Sequence, residues 1–565
     1  MARTLAARDH WAHELGGYMD ARLSEVIGST ATPLLDETIG ANLARTVERF
    51  GDREALIVRH QDIRWSYSEF DDRVAELARA LIARGFKKGD RIGIWSPNHA
   101  EWVLLQYATA RIGVIMVCIN PAYRTHEVTY ALAQSGCRGL VAATEFKTSD
   151  YVAMVAEVRD ELPDLEHVIF IGTDDWAELI EEAKSVTSDE LAQIEASLSP
   201  DDPINIQYTS GTTGFPKGAT LTHKNILNNG YFVAEALEYT ENDRVCIPVP
   251  FYHCFGMVMG NLGSTTHGSA MVIPAAAFDP VETLRTVSEE RCTSLYGVPT
   301  MFIAQMADPL FDEVDLSSLR TGIMAGSPCP IEVMKQVIER MNMSQVTIAY
   351  GMTETSPVST QTGVNDSIEK RVATVGRVHP HVEIKVVDPE TGAVVARGES
   401  GEFCTRGYSV MQGYWNEADK TAEAIDSDGW MHTGDLATMD DDGYVNIVGR
   451  IKDLIIRGGE NVYPREVEEF LYSHPKIRDV QVVGVPDAKY GEEVMAWVQT
   501  EPGEELEVEE VREFCKGTIA HYKVPRYALV IDEFPMTVTG KIQKYKLREI
   551  AIEQLGLESQ QHVTA

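Results

Sequence analysis

The chain has 565 residues, 44% of them hydrophobic and 24% charged, with a formal net charge of −36. The length exceeds what one hydrophobic core organises, so two or more domains are expected, and the composition is globular. So acidic a surface repels nucleic acid and anionic membrane and excludes both as main partners. It also repels any polyanionic substrate, whose site must gather its own donors, cations and metal.

The stretch Met1–Asp20 carries charges of both signs and no long apolar run, unlike a secretory leader. The most apolar stretch, Ala108–Ile119, contains Arg111 and is too short to span a bilayer. Eight cysteines (118, 137, 246, 254, 292, 329, 404 and 515) are scattered without a CxxC pair. That scatter predicts reduced thiols in a cytoplasmic chain, and the short apolar stretch predicts no integral membrane segment.

In chain order, Ser68 is expected to cap the first clear helix, with Asp71 as capping-box partner. Phe70, Val74, Leu77, Ala78, Leu81 and Ile82 form its apolar stripe and Gly85 stops it. A strand at Arg91–Trp95, a helix running to about Arg111 and a strand at Val114–Ile119 read as a βαβ unit. Similar alternation returns between Pro203 and Gly351. From Pro464 the texture changes: a polar helix, strands at Val480–Val485 and Val494–Thr500, a Glu-rich helix from about Val508, a strand at Ala528–Ile531 and a basic helical tail. The predicted class is α/β. A large N-terminal domain (1–451) has parallel-rich sheets with flanking helices, and a small mobile C-terminal α+β domain spans 452–565. The seam falls at Gly449-Arg-Ile-Lys-Asp453.

The chemistry concentrates first in Tyr208-Thr-Ser-Gly-Thr-Thr-Gly-Phe-Pro-Lys-Gly218, between an apolar stretch (Ile204–Gln207) and a helix-like one (Thr222–Ala236). Glycines let backbone N–H groups turn inward and the hydroxyls add donors, which suits phosphate oxygens. It is not a Walker A loop, because Lys217 precedes Gly218 instead of leading to Ser or Thr.

This string resembles the phosphate loop of the adenylate-forming superfamily: acyl-CoA synthetases, firefly luciferase and the adenylation domains of peptide synthetases. The likeness extends, in the family's order, through Trp65-Ser-Tyr-Ser-Glu-Phe70, the loop itself, Tyr350-Gly-Met-Thr-Glu-Thr-Ser356 and Thr433-Gly-Asp435. Gly449-Arg-Ile-Lys-Asp-Leu-Ile-Ile-Arg-Gly-Gly-Glu-Asn461 and Pro535-Met-Thr-Val-Thr-Gly-Lys541 follow, so roughly residues 50–550 are covered.

The resemblance implies the site. ATP would meet Thr209, Ser210, Gly211, Thr212, Thr213, Gly214 and Lys217, with Gly326, Ser327 and Pro328 flanking adenine. Tyr350 and Gly351 follow, Tyr350 stacking on the base. Thr353 would contact phosphate, while Glu354, with Thr209 beside it, would hold Mg²⁺. A carboxylate can accept from both ribose hydroxyls, and Asp435 has that role in relatives, with Arg450 nearby. His253, in Pro250-Phe-Tyr-His-Cys-Phe255, matches a position beside the reacting carboxylate. Lys541 would neutralise charge in the first half-reaction. Lys452 would be the hinge about which the small domain turns, and Gly458 and Gly459 would border the tunnel for coenzyme A. Several relatives carry a lysine four residues beyond the hinge, where this chain has Ile456 and then Arg457.

The implied activity is ATP-dependent formation of acyl-AMP from a carboxylic acid, then transfer to coenzyme A. Pro248–Gly263 and Leu295–Phe302 supply apolar and aromatic wall, and look most like fatty acyl-CoA synthetases that accept medium chains. Met257 stands where some long-chain relatives carry a gating aromatic; a thioether is more adaptable. Aryl acids are the main competing substrates. An enzyme loading a carrier protein is a second reading; Leu555-Gly-Leu-Glu-Ser559 faintly resembles a carrier attachment site, but too few residues follow it. A luciferase-like oxidation has no specific support, and the Lys541, Glu354 and Asp435 set argues against a non-enzymatic binder. A homo-oligomer stays open.

Overall fold

The computed structural model describes residues 22–209, 216–327, 329–458, 460–536 and 542–557. The first long helix, Tyr67–Ala83, buries Phe70, Val74, Leu77, Ala78 and Leu81 as the spacing predicts. Its cap lies two residues earlier than expected. Ser66 Oγ accepts from Glu69 N at 3.2 Å, and Glu69 Oε2 accepts from Ser66 N at 2.8 Å. Ser68 N bonds instead to Gly51 O, and Asp71 accepts from Arg111 Nη1 at 2.9 Å. The glutamate at the third helical position reaches back to the cap, and Ser66 therefore outcompetes Ser68.

Two large sheets carry the expected alternation. A seven-stranded sheet contains Pro203–Thr209, Ile115–Cys118, Arg91–Trp95, Gly139–Ala142 and His167–Phe170 as parallel neighbours, with Lys217–Thr222 antiparallel beside Pro203–Thr209. A nine-stranded sheet has a parallel middle that includes Ser294–Gly297, Thr321–Ala325 and Gln345–Gly351. These three strands are buried along most of their length and mostly apolar, with Ser294, Thr321 and Thr347 as buried polar exceptions.

A third sheet was not anticipated. Five strands, Glu25–Ile27, Val382–Val387, Gly401–Gly407, Met431–Met439 and Val445–Arg450, pair antiparallel throughout. Met431-His-Thr-Gly-Asp435 hides a strand because a bulge breaks its alternation.

The chain leaves this sheet at Arg450, makes a 3₁₀ turn at Ile451–Asp453 and enters a separate five-stranded sheet at Ile455. That sheet is centred on the hairpin Ile477–Asp487 and Gly491–Thr500. One apolar cluster, with Val467, Leu471, Val480 and Val511, covers one face. A second, with Val485, Trp497, Leu547 and Ala551, covers the other. Helices Pro464–Leu471, Val508–Cys515 and Lys544–Leu555 supply these contacts, which gives the tail the expected mixed architecture.

Two histidines are buried without charge. His223 Nδ1 accepts from Ile39 N at 3.2 Å, and His379 Nε2 lies 3.0 Å from Gln361 Oε1. Burial pushes both down to about 4. The unfolded chain, with histidines near 6.5, then binds more protons than the native one between about pH 6.5 and 4. Stability is fully present above 6.5 and falls by about 1.4 kcal/mol per pH unit per histidine as pH drops through that window. Urea unfolding at pH 7 and pH 5 tests this: His379→Gln should lose about 2 kcal/mol less than wild type over that interval. Equal losses would contradict the assignment.

Candidate active site

Asp435 sits where the antiparallel sheet is irregular. Across from Gly401–Gly407, Leu436 pairs with Glu402 and His432 with Cys404, so Thr433-Gly434-Asp435 bulges from the strand. Bulges of this kind re-aim side chains beside active sites. Thr433 Oγ1 donates to Phe403 O at 2.7 Å, Glu402 Oε1 accepts from Gly434 N at 3.1 Å, and Thr433 Oγ1 accepts from Asp435 N at 3.1 Å. Gly434, at φ 70°, takes the left-handed conformation the bulge needs.

The Asp435 carboxylate is then gripped from both sides. Tyr350 OH donates to Oδ2 at 2.7 Å and Arg450 Nε to Oδ1 at 3.0 Å. Tyr350 ends the strand Gln345–Gly351, and Arg450 is the direct cross-strand partner of Asp435. Burial, then the facing carboxylate, push the Tyr350 phenol well up, so it stays a donor. The ring of Tyr350 is held edge-on to Phe403, with centroids 5.3 Å apart. Gly351 is required by close approach: a Cβ there would lie 1.9 Å from Pro357 O.

A second cluster lies one turn on. Thr353 and Glu354 belong to the 3₁₀ turn Thr353–Thr355. Glu354 is 5% exposed, and its Oε1 accepts from Tyr414 OH at 2.7 Å. Lys217 Nζ stands 4.5 Å from the centre of the Tyr414 ring. Lys217 pairs in register with Thr209. Thr209 and Lys217, on either side of the expected phosphate loop, are therefore cross-strand neighbours, with Lys217 beside the tyrosine that holds Glu354; Ser210, Gly211, Thr212, Thr213 and Gly214 lie outside the described residues. The hard oxygen of a buried carboxylate with a nearby hydroxyl fits a hydrated Mg²⁺ that takes its remaining ligands from phosphate and water.

Gly326 and Ser327 emerge from Thr321–Ala325, where Ala325 pairs with Ala349 beside Tyr350. Pro328 lies outside the described residues. His253 precedes a wide π-helix, Phe255–Leu262, and its Nδ1 accepts from Phe255 N at 3.2 Å. Such windings often mark functional sites. Gly256 permits it, since a Cβ would fall 2.5 Å from Pro250 O. Met257 is fully buried, with its sulfur 2.7 Å from Gln207 Nε2. Gln207 stands two residues before Thr209 on the same strand, so the π-helix packs against the strand that leads to Thr209. Phe255 stacks on Tyr296, 5.5 Å between centroids, which joins the two expected wall segments.

Across the seam, Lys452 lies in the 3₁₀ turn directly after Arg450. Gly458, at φ 62°, donates its N–H to Tyr490 O at 2.7 Å. Gly459 and Lys541 lie outside the described residues. Arg457 turns into the small sheet, where Nε and Nη2 bond both oxygens of the fully buried Glu493 at 2.6 and 2.9 Å. It is committed there and does not replace the lysine that several relatives carry. Sequence reading missed Glu402, Phe403 and Tyr414, which hold Asp435 and Glu354 in place; no spacing links them to those residues.

The model of the AMP-binding enzyme family matches residues 43–415, and that of the AMP-binding enzyme C-terminal domain matches 466–541. A putative acyl-CoA synthetase, YngI, of Bacillus subtilis is 51% identical over 94% of this chain and 100% of its own length. The mitochondrial medium-chain acyl-CoA ligase ACSF2 of Danio rerio is 46% identical over 94% of this chain and 91% of its own. Among solved structures, the anthranilate CoA ligase AuaEII in complex with anthranoyl-AMP superposes with a TM-score of 0.85 at 27% identity, covering 93% of this chain and 99% of that one. With both family models matched in order around one assembled site, the chain belongs to the AMP-binding enzyme family.

Proposed function

We infer from this membership and the site together how the chain works. It is an AMP-forming acid–thiol ligase, an acyl-CoA synthetase that activates a fatty acid as acyl-adenylate and transfers the acyl group to coenzyme A. The observation that carries the residue-level reading is the convergence of Tyr350, Asp435 and Arg450 next to Glu354, Tyr414 and Lys217.

In the first half-reaction a carboxylate oxygen attacks the α-phosphorus of ATP and the bond to pyrophosphate breaks. Tyr350 presents its ring to adenine, with Gly326, Ser327 and Pro328 along the base. Each Asp435 oxygen keeps a lone pair beyond its present partner, enough to accept one ribose hydroxyl. Arg450 balances the carboxylate so that it does not repel the triphosphate. Thr209 to Gly214, Lys217 and Thr353 receive the phosphates, and Glu354 with Thr209 would hold Mg²⁺. When bound, that ion neutralises phosphate charge. His253 stands beside the reacting carboxylate, and Lys541 reaches in from the small domain to stabilise the crowded anions.

In the second half-reaction the thiolate of coenzyme A attacks the acyl carbon and AMP leaves. Lys541 must withdraw first. We place the pivot at Lys452, between a large domain ending at 451 and a small one from 452, with Gly458 and Gly459 bordering the pantetheine arm. None of the eight cysteines is disulfide-bonded and all are buried, which supports a reducing, cytoplasmic setting. No helix among the described residues is long and apolar enough to cross a membrane.

Medium-chain acids are the first candidates, because the ACSF2 relatives are medium-chain acyl-CoA ligases and Met257, an adaptable thioether, stands in this wall with Phe255 and Tyr296. The anthranilate ligase neighbour favours aryl acids as the second reading. Thioester formation with octanoate, decanoate, palmitate and benzoate separates them: octanoate or decanoate should give the highest kcat/KM, and a preference for benzoate would overturn the fatty-acid reading. Lys541→Ala tests the division of labour. It should slow adenylation by about 3–4 kcal/mol of barrier, yet slow thioester formation from prepared acyl-AMP far less. Equal losses in both half-reactions would refute it.

A further inference from the structure

Behind the bulge lies a cluster of which the nucleotide turn uses only one oxygen, Glu402 Oε1. We propose that Glu402, Cys404 and His432 form a site for a thiophilic divalent cation of the zinc class. Cys404 and His432 face each other as a cross-strand pair, and Glu402 stands two residues before Cys404. One donor atom from each lies within 4.8 Å of the others, and no second trio of His, Cys, Asp or Glu gathers as closely among the described residues.

The spacings match the chemistry. A tetrahedral ion with about 2.3 Å to sulfur and about 2.0 Å to nitrogen or oxygen holds its donors roughly 3.3–3.6 Å apart. Cys404 Sγ is already 3.5 Å from His432 Nδ1. Glu402 Oε2, 2.8 Å from Nδ1, has to open by about half an ångström to reach that spacing. On binding, the thiol proton is released to water and the ring proton of His432 moves from Nδ1 to Nε2, so that the neutral imidazole meets the cation through Nδ1. The other ring nitrogen, Nε2, lies 3.6 Å from Asp426 Oδ2, the outer carboxylate that metal-bound imidazoles commonly have. Thiolate, imidazole and carboxylate together select zinc, cobalt or cadmium over magnesium or calcium. His432 is 35% exposed, so water can fill the fourth position, as in an open, exchangeable site.

The same carboxylate serves two tasks. While Oε2 faces the cation site, Oε1 accepts from Gly434 N in the turn that aims Asp435. Occupancy therefore bears on the nucleotide turn.

Cobalt(II) titration of the purified full-length chain tests the site without any substrate. One equivalent should produce a thiolate-to-cobalt charge-transfer band with tetrahedral visible absorption, displaced by zinc and untouched by excess magnesium. Cys404→Ser should abolish the band, and His432→Gln should weaken binding at least tenfold; the second variant decides if the first does not fold. No band in the wild type, or unchanged titrations in either folded variant, would overturn the assignment.

Discussion

The carboxylate of Asp435, held between the Tyr350 hydroxyl and the Arg450 guanidinium, is the contact on which the site depends. Its three members come from different parts of the molecule: the end of a parallel strand, a bulge in an antiparallel sheet, and the last residue before the chain crosses to the small domain. One cluster thus ties the end of a parallel strand to the point where the chain crosses to the small domain. Charge explains its composition. A chain carrying −36 repels ATP at long range, so a further carboxylate in the pocket is tolerable only when paired. Arg450 supplies the pairing, and the tyrosine donor keeps the acceptor aimed.

Much of this was legible because the chemistry is written in contiguous strings. Thr433-Gly434-Asp435, the Tyr350–Glu354 segment and the glycine- and hydroxyl-rich loop announce themselves by residue type, and the structure brings the described members together. The parallel strands Arg91–Trp95 and Ile115–Cys118 were legible because they are almost wholly buried and apolar. The antiparallel sheet was not, since the bulge that makes Asp435 useful also breaks the period that betrays a strand. Glu402 and Tyr414 were invisible for another reason. They act on partners 32 and 60 residues away, and each reads alone as an ordinary strand residue. The cap at Ser66 lies two residues before the expected one because Glu69 is the better reciprocal partner, and Asp71 belongs to Arg111.

The acyl side follows a different logic from the nucleotide side. There the wall is a π-helix whose wider winding brings Met257 onto Gln207, only two residues from the loop strand. A flexible thioether at that place yields to ligands that a rigid aromatic would refuse. Polar groups buried along it, Gln207 and Gln106 among them, are satisfied by sulfur and backbone atoms of the π-helix. The wall is therefore tied down at several points although its lining is adaptable. Arg457 makes a parallel point across the seam: a cation near the family's lysine position is fully engaged with a buried glutamate, so local resemblance alone does not fix a side chain's task.

The most direct measurement is a double-mutant cycle on the central contact, with ATP affinity as readout: wild type, Tyr350→Phe, Asp435→Ala and the pair. If the tyrosine acts by aiming the carboxylate, the two changes must be non-additive, with a coupling of about 1.5–3 kcal/mol for a hydrogen bond to a charged group. Additive losses would mean that Tyr350 and Asp435 meet ATP independently, and the account of one organising contact would fail.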